Sequence, residues 1–192
     1  MTTATTTTPS GVTTWSIDAS HTEVGFAVRH LMISTVRGRF AGVAGSVSLD
    51  EGNPRNSRLD VTIDVNSIDT RQEQRDAHLR SSDFFDVAQF PTMRFVGSKI
   101  EGDITGDFTV GGELTIRGVT RPITLEATSE GRGPDPWGSE RAGFSAKGKV
   151  NRSEFGLTWN QVLEAGGVTV GDEIKISIDV ELVRQKESGS AA

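Results

Sequence analysis

Residues 173–183 read EIKISIDVELV, which places Ile174, Ile176, Ile178, Val180 and Leu182 on one side of an extended chain and Glu173, Lys175, Ser177, Asp179 and Glu181 on the other. Successive side chains of a strand point to opposite faces, so a period of two marks a strand with one buried and one wet face. Working outward, the pattern recurs. Leu59, Val61, Ile63 and Val65 alternate with Arg58, Asp60, Thr62 and Asp64, and Val24, Phe26 and Val28 alternate with Glu23, Gly25, Ala27 and Arg29. Looser versions run over 36–49, 92–101, 108–117, 123–128 and 142–150. Within 36–49 the apolar phase slips from the even positions Val36 and Phe40 to the odd positions Val43, Val47 and Leu49. A bulge near Gly42 would restore the inward face and bend the strand. About eight antiparallel strands with Gly, Asn and Pro turns fit an up-and-down barrel or a sandwich.

One stretch departs from this period. Thr70-Arg71-Gln72-Glu73 has the spacing of a capping box and predicts a short helix over 71–80, followed by a turn carrying Phe84 and Phe85. With Ala77 and Leu79, that pair could seal one end of the sheet or pack on its rim.

The chain has 192 residues, enough for one domain with a real core. It contains no cysteine, which excludes thiol catalysis, disulfides and cysteine-based zinc sites. A net charge of −6 with dispersed Lys and Arg argues against a nucleic-acid surface. No apolar run approaches the ~20 residues of a membrane span, and the opening MTTATTTTPSGVTT is no secretory signal, so the expected location is cytoplasmic. The domain is expected over 14–184, with loose tails at 1–13 and 185–192.

Catalytic constellations are scarce. The three histidines, His21, His30 and His78, lack a metal-ligand spacing, and no metal site is expected. His21 reads as a turn residue, whereas His30 continues the inward phase of Val24, Phe26 and Val28. No GxSxG elbow, phosphate loop or dinucleotide fingerprint occurs, so no catalytic residue is assigned. Asn151-Arg152-Ser153 fits a glycosylation sequon without a secretory signal to expose it. The prominent feature is inward aromatic area: Phe26, Phe40, Phe95, Phe108 and Phe144 from strands, and Leu79, Phe84, Phe85, Phe155 and Trp159 from connections. An eight-stranded barrel is about wide enough either to fill with such side chains or to hold one small ligand, and periodicity does not choose between them.

Seven segments carry a resemblance, in order: WSIDASHTEVGFAVRHLMISTVRGRFAGVAGSV from Trp15, VTIDVNSIDTR from Val61, RDAHLRSSDFFD from Arg75, QFPTMRF from Gln89, GGELTIRGVTRPITLEA from Gly111, VNRSEFGL from Val150 and VGDEIKISIDVEL from Val170. Together they resemble the YceI family of lipocalin-like polyisoprenoid-binding proteins. The resemblance implies a mainly β fold, a single extended eight-stranded antiparallel barrel with a short helix near 71–80. It also implies a tunnel for a polyprenyl compound or isoprenoid quinone, no other cofactor, and a homodimer. Carried onto this chain, Phe26, Val28, Phe40, Ile63, Phe95, Phe108, Phe144 and Trp159 would line the tunnel, with Leu79, Phe84 and Phe85 at its end. His30, His78 and Arg152 would lie near a head group. The expected function is non-enzymatic binding, storage or transport of such a lipid. The alternative is an enzyme or chaperone for a lipid-like substrate that uses a barrel histidine as acid or base.

Overall fold

The computed structural model describes residues 11–162 and 167–186. Its strands are β1 (Val12–Ile17), β2 (Glu23–His30), β3 (Ser34–Phe40), β4 (Val43–Asp50), β5 (Arg58–Asp64), β6 (Ile68–Asp69), β7 (Thr92–Gly102), β8 (Asp107–Ile116), β9 (Val119–Pro134), β10 (Glu140–Asn151) and β11 (Val170–Arg184), with one helix, α1 (Glu73–Arg80). All pair antiparallel in one sheet that closes on itself through β1 and β11.

Two of the staves are broken strands. β1 pairs with β4 (Trp15↔Val47) and β2 with β3 (Val24↔Phe40, His30↔Ser34), so 12–30 and 34–50 form one bent hairpin. The long strand β11 spans the bend, pairing Leu182 with Ile17 and Ile178 with Val24. Counted this way, the barrel has eight staves: β1 with β2, β3 with β4, then β5, β7, β8, β9, β10 and β11. The irregularity read near Gly42 is a break at Ala41-Gly42, and it switches the inward phase from Phe40 to Val43 and Val47. Gly38 has a packing reason: a Cβ there would lie 2.4 Å from the Phe26 ring, which crosses β3 to reach Phe40 at 5.5 Å between centroids.

The helix starts later than the capping-box spacing implies. Gln72 is the N-cap, its Oε1 accepting from the Arg75 amide at 2.5 Å. Thr70 instead donates its hydroxyl to the buried carboxylate of Asp76, which also accepts from the Thr70 amide at 3.0 Å. A carboxylate one turn into the helix thus outcompetes Glu73 for the preceding turn. The body also begins before the expected limit, while β11 ends at Arg184. Val12 and Thr13 belong to β1, where Thr13 Oγ1 accepts from Trp15 Nε1 at 2.8 Å, and the Gln185 amide donates to the Thr14 carbonyl at 2.8 Å. The rest of both expected tails, 1–10 and 187–192, lies outside the described residues.

Candidate functional site

The inward faces enclose a cavity of about 800 Å³. Its two walls differ in how closely their side chains are covered. On β7 and β8, Met93, Phe95, Ile100, Val110 and Leu114 are all buried. On β10, β11 and β2 the inward residues Phe144, Ala146, Ile174, Ile176, Ile178, Phe26 and Val28 are only half-buried, although they line the interior. Apolar side chains that point inward and yet keep accessible surface face open space rather than one another. This is the signature that distinguishes a hollow barrel from a filled one.

The end reached by the β2–β3 hairpin is stopped. Leu79 of α1 and Phe84 and Phe85 of the following turn form the floor, with Phe85 edge-on to Phe40 at 5.9 Å and Phe84 against Trp159 at 5.2 Å. Arg117 holds the floor by donating to the carbonyls of Ser82 and Phe84, each at 3.0 Å. Beside it, Arg152 is 5% exposed and lines the cavity. Its Nε donates to Gly171 O at 3.0 Å, Nη1 to Leu157 O at 2.7 Å and Trp159 O at 2.9 Å, and Nη2 to Val170 O at 3.3 Å, with Asp172 at 3.1 Å. Burial pulls this guanidinium below the usual arginine range, partly offset by Asp172. Arg152 therefore ties the chain after β10 to the start of β11, its donors engaged by carbonyls rather than aimed into the cavity.

Among the described residues, the opposite end is open. There the lining residues Glu51, Gly102, Asp103, Thr105, Gly131 and Arg132 are exposed, and polar groups replace hydrocarbon.

Of the residues expected to contact a ligand, Phe26, Val28, Phe40, Ile63, Leu79, Phe84, Phe85, Phe95, Phe108, Phe144 and Arg152 line this cavity. His30, His78 and Trp159 do not. His30 is half-buried at the far tip of β2, paired with Ser34 and Val170. The His78 ring lies edge-on to Trp159 at 4.7 Å and to Phe84 at 5.1 Å, with Nε2 hydrogen-bonded to Asp83 at 2.8 Å. His78 thus supports the floor from outside. His21, Asp18 and Glu181 bring three possible ligand atoms together on the outer surface, but Arg141 engages both carboxylates. Asn151, the acceptor in the sequon, caps a tight turn by accepting from the Ser153 amide at 3.0 Å.

The lining also includes Trp15, Leu114, Leu125, the inner row of β11, and the polar mouth, none of them anticipated as ligand contacts. The signal for Trp15 was present in the alternation of Thr13, Trp15 and Ile17. The mouth had none, because its residues come from three separate stretches of the chain, after β4, at the end of β7 and near the end of β9.

The YceI-like domain pattern matches residues 15–182. A YceI protein of Salmonella newport (strain SL254) is 40% identical over 171 residues, covering 88% of this chain and 85% of its own length. The crystal structure of the Campylobacter jejuni YCEI protein matches with a TM-score of 0.69 at 34% identity, over 83% of this chain and 90% of that one. A polyisoprenoid-binding domain from Saccharophagus degradans shares the fold at 14% identity, with a TM-score of 0.69 over 91% of this chain and 100% of its own.

Proposed function

This chain belongs to the YceI family, and we propose that it holds one long-chain isoprenoid lipid, a polyprenyl compound or an isoprenoid quinone, in the barrel cavity without transforming it. The observation that carries this reading is the cavity of about 800 Å³, stopped at one end and open at the other, whose wall between the two ends is hydrocarbon. Its volume falls within the roughly 300–1,000 Å³ of small-molecule sites. Each methylene transferred from water contributes about 0.8 kcal/mol, so a chain gains affinity along its length without directional contacts. The structural neighbour named for polyisoprenoid binding supports the same class of ligand. The acid–base alternative lacks a group in place, since no histidine among the described residues lines the cavity.

Protein purified without detergent should release a chain lipid on organic extraction, read by mass spectrometry, and should take up added polyprenyl or quinone ligands. Empty extracts together with no uptake would overturn the proposal. Sedimentation of the same preparation tests the expected homodimer.

A further inference from the structure

Charged side chains line the cavity only at its two ends. Arg152 at the stopped end is engaged by four carbonyls and by Asp172. At the mouth stand Glu51, Asp103 and Arg132. Glu51 lies in the turn after β4 and Arg132 on β9, and β4, β5, β7, β8 and β9 follow one another around the closed sheet. The two side chains therefore start from opposite sides of an eight-stave ring. They meet across it, Arg132 Nη1 donating to Glu51 Oε1 at 2.7 Å, while Nε donates to Glu140 at 2.5 Å. The guanidinium lies 4.8 Å above the ring of Trp15, a residue only 1% exposed. Its Nη2 takes no protein acceptor among the described residues. Glu140 is shared with Arg184 at 2.8 Å, and the Asp103 carboxylate accepts from the Thr105 amide and hydroxyl. Arg58, on the neighbouring strand β5, engages the carbonyls of Arg55, Ser57 and Ser98 instead.

Resting on the tunnel reading above, we infer that this mouth is a head-group subsite that takes an uncharged oxygen, a hydroxyl or a quinone carbonyl, and disfavours a phosphate. An uncharged oxygen needs one donor, which Arg132 Nη2 supplies beside the Trp15 ring. A phosphate monoester carries roughly −1.5 to −2 charges at neutral pH. It would meet the lining carboxylates of Glu51 and Asp103, the latter with no arginine partner among the described residues, and Arg132, whose guanidinium is already paired to Glu51 and to Glu140, itself shared with Arg184. A cation can favour an anionic ligand only with charge that its neighbours have not already neutralised.

The test compares geranylgeraniol with geranylgeranyl monophosphate, whose equal chains make the hydrocarbon contribution cancel. Uptake is measured by gel filtration followed by extraction and quantification. Wild-type protein should favour the alcohol by about tenfold or more, and Glu51→Gln, which removes one negative charge beside Arg132 while keeping an acceptor for Nη1, should narrow the ratio by strengthening phosphate binding. Asp103→Asn, which keeps the acceptor for Thr105, should move the ratio the same way. Equal or tighter binding of the phosphate by wild type, or an unchanged ratio in both variants, would overturn the subsite while leaving the tunnel intact. Uptake of neither probe would instead overturn the tunnel reading, and the subsite with it.

Discussion

Where β2 turns into β3 the barrel is stopped by hydrocarbon: Phe84, Phe85, Leu79 and the Trp159 ring pack together, and the buried guanidinium of Arg152 faces backbone carbonyls. At the other end Arg132 reaches Glu51 across the opening while both keep substantial exposure, and among the described residues no aromatic plug covers them. The difference follows from chain length between strands. The stopped end has connections long enough to fold back over the lumen, 65–91 and the described part 152–162, whereas the connections between described strands at the open end are short turns such as 103–106. Long loops supply area to bury; tight turns supply polar groups and little else.

Arg152 provides the strongest way to break this contrast. Replacing it with Ala leaves the carbonyls of Leu157, Trp159, Val170 and Gly171 without their donor in a buried setting. The expected loss in unfolding free energy is about 3–5 kcal/mol, measured by urea denaturation. Arg152→Lys should recover only a small part of it, because one ammonium does not reproduce a fork aimed at several carbonyls. If Arg152→Ala cost no more than an exposed substitution, the stopped end would not depend on this residue.

The next effect concerns the seam between β1 and β2, where Asp18 caps a tight turn and meets Arg141 of β10. The Ser20 hydroxyl, then Arg141 and His21, hold the Asp18 carboxyl far below the usual carboxylate range. A depressed folded pKa means that the unfolded chain takes up protons first, so this contribution is present above about pH 4 and is lost as pH falls below it. Asp135 and Glu140 near the same end are lowered as well, chiefly by Arg141 and Arg132 respectively. In Asp18→Asn the decline of stability between about pH 4 and pH 2 should be shallower than in wild type, as read by denaturation at a series of pH values. An identical acid limb would remove Asp18 from the account.

How much of this was legible beforehand depends on whether the signal is local. Alternation in β11, β5 and β2 is a property of neighbouring residues, so those strands and the inward direction of Phe26, Ile63 and Phe95 could be read directly. The slip between Phe40 and Val43 likewise marked the break at Gly42. The helix start was misplaced because Asp76, six residues beyond Thr70, bonds the same turn that Glu73 was expected to cap. The hollow interior was not legible from pattern, since an inward Ile174 looks the same against a neighbour or a void. The mouth was the least legible part: Glu51 and Arg132 are 81 residues apart, and only barrel closure brings them together.

The hollow wall predicts a small effect where a packed core would show a larger one. Ala146 is half-buried on β10 and lines the cavity. Forcing a larger side chain into a close-packed interior costs about 1–3 kcal/mol. Ala146→Phe should change stability by about 1 kcal/mol at most, since the ring enters open space, while lowering lipid uptake by narrowing the lumen. A penalty well above that, with uptake intact, would mean that the interior near β10 is filled.

The smallest expected change in stability belongs to Glu51→Gln, and it separates what the mouth does from what holds the fold. The Glu51 side chain is 47% exposed and its partner Arg132 is 34% exposed, so solvent screens the pair. Exposed ion pairs contribute little, and the loss here should be about 0.5 kcal/mol or less, checked by urea denaturation at low and moderate salt. Arg132 keeps Glu140 and the face of Trp15 after the substitution, so its position should survive. At the stopped end, removing Arg152 unseats the chain around it; at the open end, removing Glu51 changes the charge a ligand meets and little else. A large destabilisation by Glu51→Gln would make the ion pair across the mouth a structural strut, and the two ends would then be closed by equally necessary contacts.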